Sequence, residues 1–396
     1  MRVTRTLRAT VGAALTGALL LASGGTASAD QVRKGQWPLE AFGAQQLWKE
    51  ATGKGVTVAV LDSGFRTTHQ DLKGQFLPGP DFGKATEAEG AKYLKPNEDI
   101  RDHGTAMAGI IAGHGHGPGG TEGVKGLAPD AKILPVPEYK NSGQATRWAV
   151  EHGADVINMS YGGDLEGDIC ESIHYAVEKG VVVVAAVGND GWSKKTYPVG
   201  CPGAIGVGSV DQYGEAASAN NYNSDTDLLA PGEKVSVAMG KSDSAYQTEA
   251  NGSSAASAYV SAAAALLKQK FPDLTPGQIA NRLVKTAGLA QAEKAKHLKL
   301  PDTHYGYGFI QPGPALRRDI AAGPAQGPLP MPKGKASQTG VVPGADKGSD
   351  PNPPMGGKEK LALFGGIGLG VLAVVGIVIG VVVSVRRRNS RNQAWG

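Results

Sequence analysis

The stretch Val56-Thr57-Val58-Ala59-Val60-Leu61-Asp62-Ser63-Gly64 decides the architecture of this chain. Residues 56–61 are apolar or β-branched almost without interruption, and a carboxylate and a turn follow at once. A strand that is apolar on both faces belongs in a sheet covered on both sides, and such sheets are characteristically parallel. Working outward, residues 143–152 read as helix, 155–160 as strand, 169–179 as helix, and 181–187 and 205–210 as further strands. Strands alternating with helix-length segments predict an α/β class: three layers around a mostly parallel central sheet. Thr275-Pro276 has the form of an N-cap and first helical position for a segment reaching Thr286.

The two ends have a different composition. Arg2, Arg5 and Arg8 precede an apolar run over 11–22 and the small-residue triplet Ala27-Ser28-Ala29, the three-part plan of a secretory signal peptide over 1–29. Residues 361–385 carry no charge and are rich in Val, Ile, Leu and Gly, with Arg386, Arg387, Arg388 and Arg391 behind them. At ~1.5 Å rise per residue such a helix spans a hydrocarbon core of ~30 Å, so one transmembrane helix is expected there. The export signal, supported by the arginines behind the run, predicts a basic tail, 386–396, in the cytoplasm and the rest outside the cell membrane. Between them, residues 321–360 are dominated by Pro, Gly, Ala, Ser and Lys and read as an extended tether. The folded unit is then 54–320, preceded by a short extension over 30–53.

The net charge of +4 is spread along the chain, with no basic stripe interleaved with aromatics, which argues against nucleic-acid binding. Cys170 and Cys201 are the two cysteines, both in the exported part. An oxidising compartment favours a disulfide between them; two free thiols or a metal site are the alternatives. Without a CxxC or histidine partner they make a poor zinc site, so no metal is expected.

In open parallel sheets ligands collect at the carboxyl ends of the strands, so polar residues there are the candidates for chemistry. Asp62 ends one such strand; alone it could orient a histidine, bind a metal or cap a turn. His103 opens the stretch His103-Gly104-Thr105-Ala106-Met107-Ala108-Gly109, whose small residues let a helix pack closely and hold an imidazole. Asn251-Gly252-Ser253-Ser254 leads into an Ala-rich segment of high helix propensity. A serine there could simply be an N-cap, or it could expose its hydroxyl beside the free N–H groups of the first turn. Asn189 follows the buried run 181–187; it could be an ordinary turn residue, or a second oxyanion donor where a site at the carboxyl ends of the strands would need one.

The order Asp, His, Ser with these flanks resembles the subtilisin-like (S8) serine peptidases. The D-[ST]-G box appears as Asp62-Ser63-Gly64, the H-G-T box from His103 to Gly109, and the G-[TS]-S box as Gly252-Ser253-Ser254. Gly126-Leu127-Ala128-Pro129, Val156-Ile157-Asn158-Met159-Ser160 and Leu229-Ala230-Pro231-Gly232 resemble the family's framework segments. Within the family the chain is most similar to the mycosins of type VII secretion systems, through Trp37-Pro38, Leu47-Trp48, the Pro-rich segment and the apolar C-terminal run. Three positions depart from the family's serine box: Ala255, Ser257 and Ala258, the last where proline is common.

The resemblance implies an anchored extracytoplasmic serine endopeptidase using Asp62, His103 and Ser254 as triad and Asn189 in the oxyanion hole. Ser160, Tyr161 and Gly162 would pair with an extended polypeptide substrate, and Ala185, Ala186 and Gly188 would form a wall of the pocket for the residue before the cut. No cofactor is needed. The partners expected are the polypeptide substrate, the lipid bilayer and the type VII secretion machinery. The alternative is a weakly active scaffold that stabilises a membrane secretion complex.

Overall fold

The computed structural model describes residues 31–80, 102–137, 142–290, 294, 297–328 and 330. Its strands are β1 (Thr57–Asp62), β2 (His114–His116), β3 (Glu122–Lys125), β4 (Lys132–Pro137), β5 (Val156–Met159), β6 (Val182–Ala186), β7 (Ala204–Val210), β8 (Leu228–Pro231), β9 (Val235–Ala238) and β10 (Tyr246–Ala250). The helices are α1 (Trp37–Ala41), α2 (Ala44–Leu47), α3 (His103–Ala112), α4 (Ser142–Glu151), α5 (Ile169–Glu178), α6 (Ser253–Lys270), α7 (Pro276–Thr286) and α8 (Pro312–Arg317). Six strands form one sheet in the order β4-β1-β5-β6-β7-β8, and every pairing in it is parallel.

Successive side chains of a strand point to opposite faces, and this sorts the core into two layers. Val58 and Val60 of β1, Val156 of β5, Val182 and Val184 of β6 and Val207 of β7 face the layer containing α3 and α6. Ala59, Leu61, Ile157, Met159, Val183 and Ala185 face the layer of α4 and α5. The unbroken apolar runs are therefore explained: each strand needs an apolar residue at both phases of its pleat. The class expected for the folded unit, α/β with a mostly parallel central sheet, is the one observed.

Helix α6 runs across β5, β6, β7 and β8. Ala256, Ala258, Ala262 and Ala264 are fully buried along it, and with only a methyl at these positions its backbone lies close to the sheet. It starts at Gly252, whose φ of +142° is one that L side chains rarely adopt and where a Cβ would sit 3.1 Å from the Asn189 amide. Helix α7 begins on a capping box, Thr275 accepting from the Gln278 N–H and Gln278 accepting from the Thr275 N–H, with Pro276 at the first position.

The N-terminal segment is bound to the body by polar groups as well as apolar ones. Gln36 pairs in both directions with the Lys125 backbone, and Arg33 donates to the carbonyls of Gly123 and Glu122. The indole N–H groups of Trp37 and Trp48 donate to the carbonyls of Glu233 and Leu127. Beyond Ile320, residues that the composition assigns to a tether still contact the body. Gln278 donates to the Gly323 carbonyl and the Gly203 N–H donates to the Pro330 carbonyl.

The transmembrane part of the expected fold requires correction. Among the described residues no helix is long and apolar enough to cross a membrane. The longest of them, α6 with 18 residues, is enclosed in the protein core and carries Lys268 and Lys270 in its last turn. The run at 361–385 that prompted the expectation lies outside the described residues, as do the signal-peptide stretch at 1–29 and the basic tail at 386–396. An apolar run is a hydropathy pattern, and a span requires a helix to carry it. The single-pass anchor, the bilayer as a partner and the cell-membrane placement with a cytoplasmic C-terminus are accordingly withdrawn from the fold, the function and the localisation.

Candidate active site

Asp62 is the last residue of β1 and is 4% exposed. Its two carboxylate oxygens lie 2.7 and 2.9 Å from His103 Nδ1, and Oδ1 also accepts from the Ser63 N–H at 2.7 Å. The turn after β1 sets this geometry. Helix α3 opens with N–H groups that lack intrahelical partners; those of Gly104 and Thr105 donate to the carbonyls of Ser63 and Gly64 at 2.8 and 3.1 Å. A side chain at Gly104 would collide with the Phe65 ring, 2.6 Å from the position of its Cβ. The D-S-G turn thus serves as the cap of the histidine helix, and acid and imidazole are registered by the same backbone contacts.

The Asp62 carboxylate raises the His103 pKa above the ordinary imidazole value; its attraction for the imidazolium outweighs the opposing effect of burial. Just before it, Asp102 is buried and paired with Arg66 at 2.9 Å. Burial pushes the Asp102 carboxyl up in spite of that partner.

Register carries the site from β1 to its neighbours. Leu61 pairs with Met159 and Met159 with Ala185, so Asp62, Ser160 and Ala186 come at equivalent positions at the carboxyl ends of three adjacent strands. Over this edge lies the first turn of α6, packed beside α3. The Ser254 hydroxyl donates to the Ser160 carbonyl at 3.1 Å, and the Ser160 hydroxyl contacts the Ser254 carbonyl at 3.0 Å. The Asn189 Oδ1 accepts from the Ser253 N–H at 2.8 Å, which orients the amide. Ser253 itself is fully buried, its hydroxyl accepting from the Gly188 N–H, whereas Ser254 is half-buried.

A cleft of about 450 Å³ opens beside Ser254. Ser160, Tyr161 and Gly162 line one side, Ala186, Gly188 and Asn189 the other. Ala185 does not line it. The alternation of β6 turns Ala185 toward the α4–α5 layer, so only its neighbour Ala186 reaches the cleft. The two walls are tied by paired backbone bonds between Gly163 and Tyr197, both 2.9 Å, and by a Lys194–Asp164 ion pair at 2.7 Å. Farther back, Cys170 in the first turn of α5 is disulfide-bonded to Cys201, with their Cα atoms 5.0 Å apart.

Asp164, Asp190, Trp192, Lys194, Thr196 and Asn221 also line the cleft, and the sequence assigns none of them to the site. They lie on three loops, after β5, β6 and β7, that meet only in the folded chain. The one available signal was the recurrence of polar residues just after buried runs. Among the described residues no group of His, Cys, Asp and Glu could hold a metal ion.

The Subtilase family model of S8 peptidases matches residues 53–308. Fervidolysin from Fervidobacterium pennivorans is 34% identical over 333 residues, covering 74% of this chain and 44% of fervidolysin. Subtilisin DY from Bacillus licheniformis is 36% identical over 248 residues, covering 59% of this chain and 84% of the relative. Among solved structures, MycP1 from the ESX-1 type VII secretion system superposes with a TM-score of 0.63 at 27% identity, over 75% of this chain and 88% of MycP1. The chain belongs to the subtilase family. Its peptidase domain is of the subtilisin-type serine endopeptidase class, with mycosins among its structural neighbours. The chain spans less than half the length of fervidolysin.

Proposed function

We propose that the protein hydrolyses peptide bonds of polypeptide substrates through an acyl-enzyme, with Asp62, His103 and Ser254 as triad. The observation that carries this reading is the double contact of His103 Nδ1 with the buried Asp62 carboxylate, at the strand edge where Ser254 opens α6. With Nδ1–H held by Asp62, Nε2 is the basic nitrogen. The Ser254 hydroxyl turns from the Ser160 carbonyl toward Nε2, loses its proton there and attacks the scissile carbonyl. Asp62 stabilises the imidazolium that forms. The tetrahedral oxyanion is held by the Ser254 N–H and the Asn189 Nδ2. The imidazolium then protonates the leaving amine, and water resolves the ester by the reverse steps.

An extended substrate adds to the edge at Ser160-Tyr161-Gly162 by main-chain hydrogen bonds, and the residue before the cut enters the cleft past Ala186 and Gly188. Likeness to MycP1, from a type VII secretion system, favours a protein handled alongside such a system as substrate over general degradation.

Labelling with a fluorophosphonate and mapping the adduct by mass spectrometry tests this reading. The adduct is expected on Ser254, with none on the Ser254→Ala variant and normal labelling of Ser253→Ala. Absence of labelling in the natural chain would leave the scaffold reading in its place.

A further inference from the structure

Behind the nucleophile a line of buried polar groups runs from the middle of α6 back to its first turn. The Ser261 hydroxyl donates to Asn158 Oδ1 at 2.9 Å, and Asn158 Nδ2 donates to the Ser160 hydroxyl at 2.8 Å. Ser160 Oγ lies 2.9 Å from Ser257 Oγ and 3.0 Å from the Ser254 carbonyl, while Ser257 Oγ lies 2.8 Å from that carbonyl. Asn158, Ser257 and Ser261 are fully buried and Ser160 is 5% exposed. Buried hydroxyls and amides have no water to fall back on, so each must be satisfied inside the protein.

Counting protons orders this line. Each serine hydroxyl has a single proton to give. If Ser160 and Ser257 both gave theirs to the Ser254 carbonyl, the two Oγ atoms would face each other at 2.9 Å with no proton between them. Two arrangements avoid this, with either Ser160 or Ser257 as the donor to the Ser254 carbonyl, and the shorter contact, 2.8 Å against 3.0 Å, assigns that bond to Ser257: Ser261 then gives to Asn158, Asn158 to Ser160, Ser160 to Ser257, and Ser257 to the carbonyl. Hydrogen bonds aligned in one direction polarise and reinforce one another. Ser257 is the terminal donor, and its acceptor is the backbone of the nucleophile. The Ser160 carbonyl, at the other end of the same residue, is where the Ser254 hydroxyl rests and where extended substrate would bind.

Resting on the assignment of Ser254 as nucleophile, we propose that Ser257 is a positioning residue. Its hydroxyl fixes the Ser254 peptide against the strand end at Ser160, so that the nucleophile and its oxyanion-binding N–H keep register with bound substrate. Ser257 touches no reacting atom. Its loss leaves the cleft walls intact, and the effect falls on turnover rather than on substrate affinity.

The test compares Ser257→Thr with Ser257→Val in the full chain. The two side chains have the same shape, so crowding at this buried position affects both alike, and only the hydroxyl differs. Val is expected to lower kcat about tenfold relative to Thr, as a misplaced reacting group does, with KM within twofold and equal thermal midpoints. Equal kcat for Thr and Val would overturn the proposal, as would a difference confined to KM. If neither folds, Ser257→Ala, which cannot overpack, is measured in the same way; unchanged kcat then overturns it, and a tenfold loss at constant KM supports it. Ser254→Ala is assayed alongside. Cleavage surviving in that variant would show that the nucleophile assignment has failed, whatever Ser257 does.

Discussion

Helices α3 and α6 both carry a residue of the proposed triad in their first turn, yet they treat the N–H at their second position, Gly104 and Ser254, in opposite ways. At α3 the N–H groups of Gly104 and Thr105 are taken up by the carbonyls of Ser63 and Gly64. At α6 the Ser253 N–H is taken by the Asn189 side chain, the Ala255 N–H by the Gly252 carbonyl, and the Ser254 N–H has no acceptor among the described residues. A helix end whose N–H groups are taken up in this way holds a side chain in place. An unsaturated one is an electrostatic site ready for developing negative charge. Under the proposed mechanism the same secondary-structure position serves orientation in one case and charge stabilisation in the other, and the neighbouring loops decide which.

The sharpest way to break this contrast is at the saturated end. Asp62→Asn should leave the α3 cap intact, since the cap uses the backbone of Ser63 and Gly64, yet lower kcat by about 10⁴ by favouring the wrong imidazole tautomer. Steady-state kinetics with a peptide substrate and a circular-dichroism melt separate the two effects. A loss of only a few-fold would mean that Asp62 is chiefly structural.

At the unsaturated end the effect should be smaller. Asn189→Ala removes one oxyanion donor and is expected to reduce kcat by about 10²–10³ with little change in KM. Because Asn189 also accepts the Ser253 N–H, Asn189→Asp serves as a second probe: it keeps that acceptor and still loses turnover. Full activity in Asn189→Asp would place the oxyanion elsewhere.

The acid limb of kcat/KM distinguishes the two ends again. His103 must be neutral to accept the Ser254 proton, and Asp62 raises its pKa. The limb should therefore rise at a pH above the ordinary histidine value and move down in Asp62→Asn. The Asn189 variant should keep the midpoint of the parent.

Fold stability has its own pH dependence, which has to be measured beside that limb. Asp227 is pushed up to about 7, chiefly by burial, while its bond from the Gly206 N–H opposes the shift. A carboxyl whose folded pKa is raised binds more protons folded than unfolded. Stability should therefore be full near pH 4, fall as pH rises toward 7, and level off above it. The loss is up to about 4 kcal/mol. Asp227→Asn should flatten that slope in denaturant titrations; an unchanged slope would assign it to other groups.

The smallest effect on turnover is expected at the cleft's far wall. Replacing Cys170 and Cys201 by serine frees a loop with a sequence separation of 31. The unfolded state should gain about 3–4 kcal/mol on the chain-entropy account. With Gly163 and Tyr197 still paired, kcat should hold and KM rise about twofold, since the bond acts on a wall of the cleft. A large fall in kcat would link this disulfide to the α6 end.

Much of this was legible before folding. Residues 56–61 announce a doubly buried strand because each pleat phase needs an apolar neighbour, and the boxes around Asp62, His103 and Ser254 carry their own caps and small residues. Ala185 shows the limit: in the sequence it is equivalent to Ala186, and only the pleat of β6 turns one inward and the other to the cleft. Asp164 and Lys194 belong to separate loops, and nothing in either announces the other. The 361–385 run shows a different limit, because apolar composition by itself does not establish a helix that spans.

What the linear chain determined was therefore local: which segments are strands buried on two faces, where helices begin, and which residue types stand at strand ends. Those properties follow from periodicity, capping and the chemistry of neighbours a few positions apart. Only the tertiary structure decided that Ser254 rather than Ser253 is the accessible hydroxyl, that its N–H finds no acceptor among the described residues while those of Gly104 and Thr105 do, and that Asn158, Ser160, Ser257 and Ser261 form one line. Each of these depends on atoms brought together across the sheet, where hydrogen-bond partners are assigned by the register of parallel strands and by how closely an alanine-rich helix can lie against them.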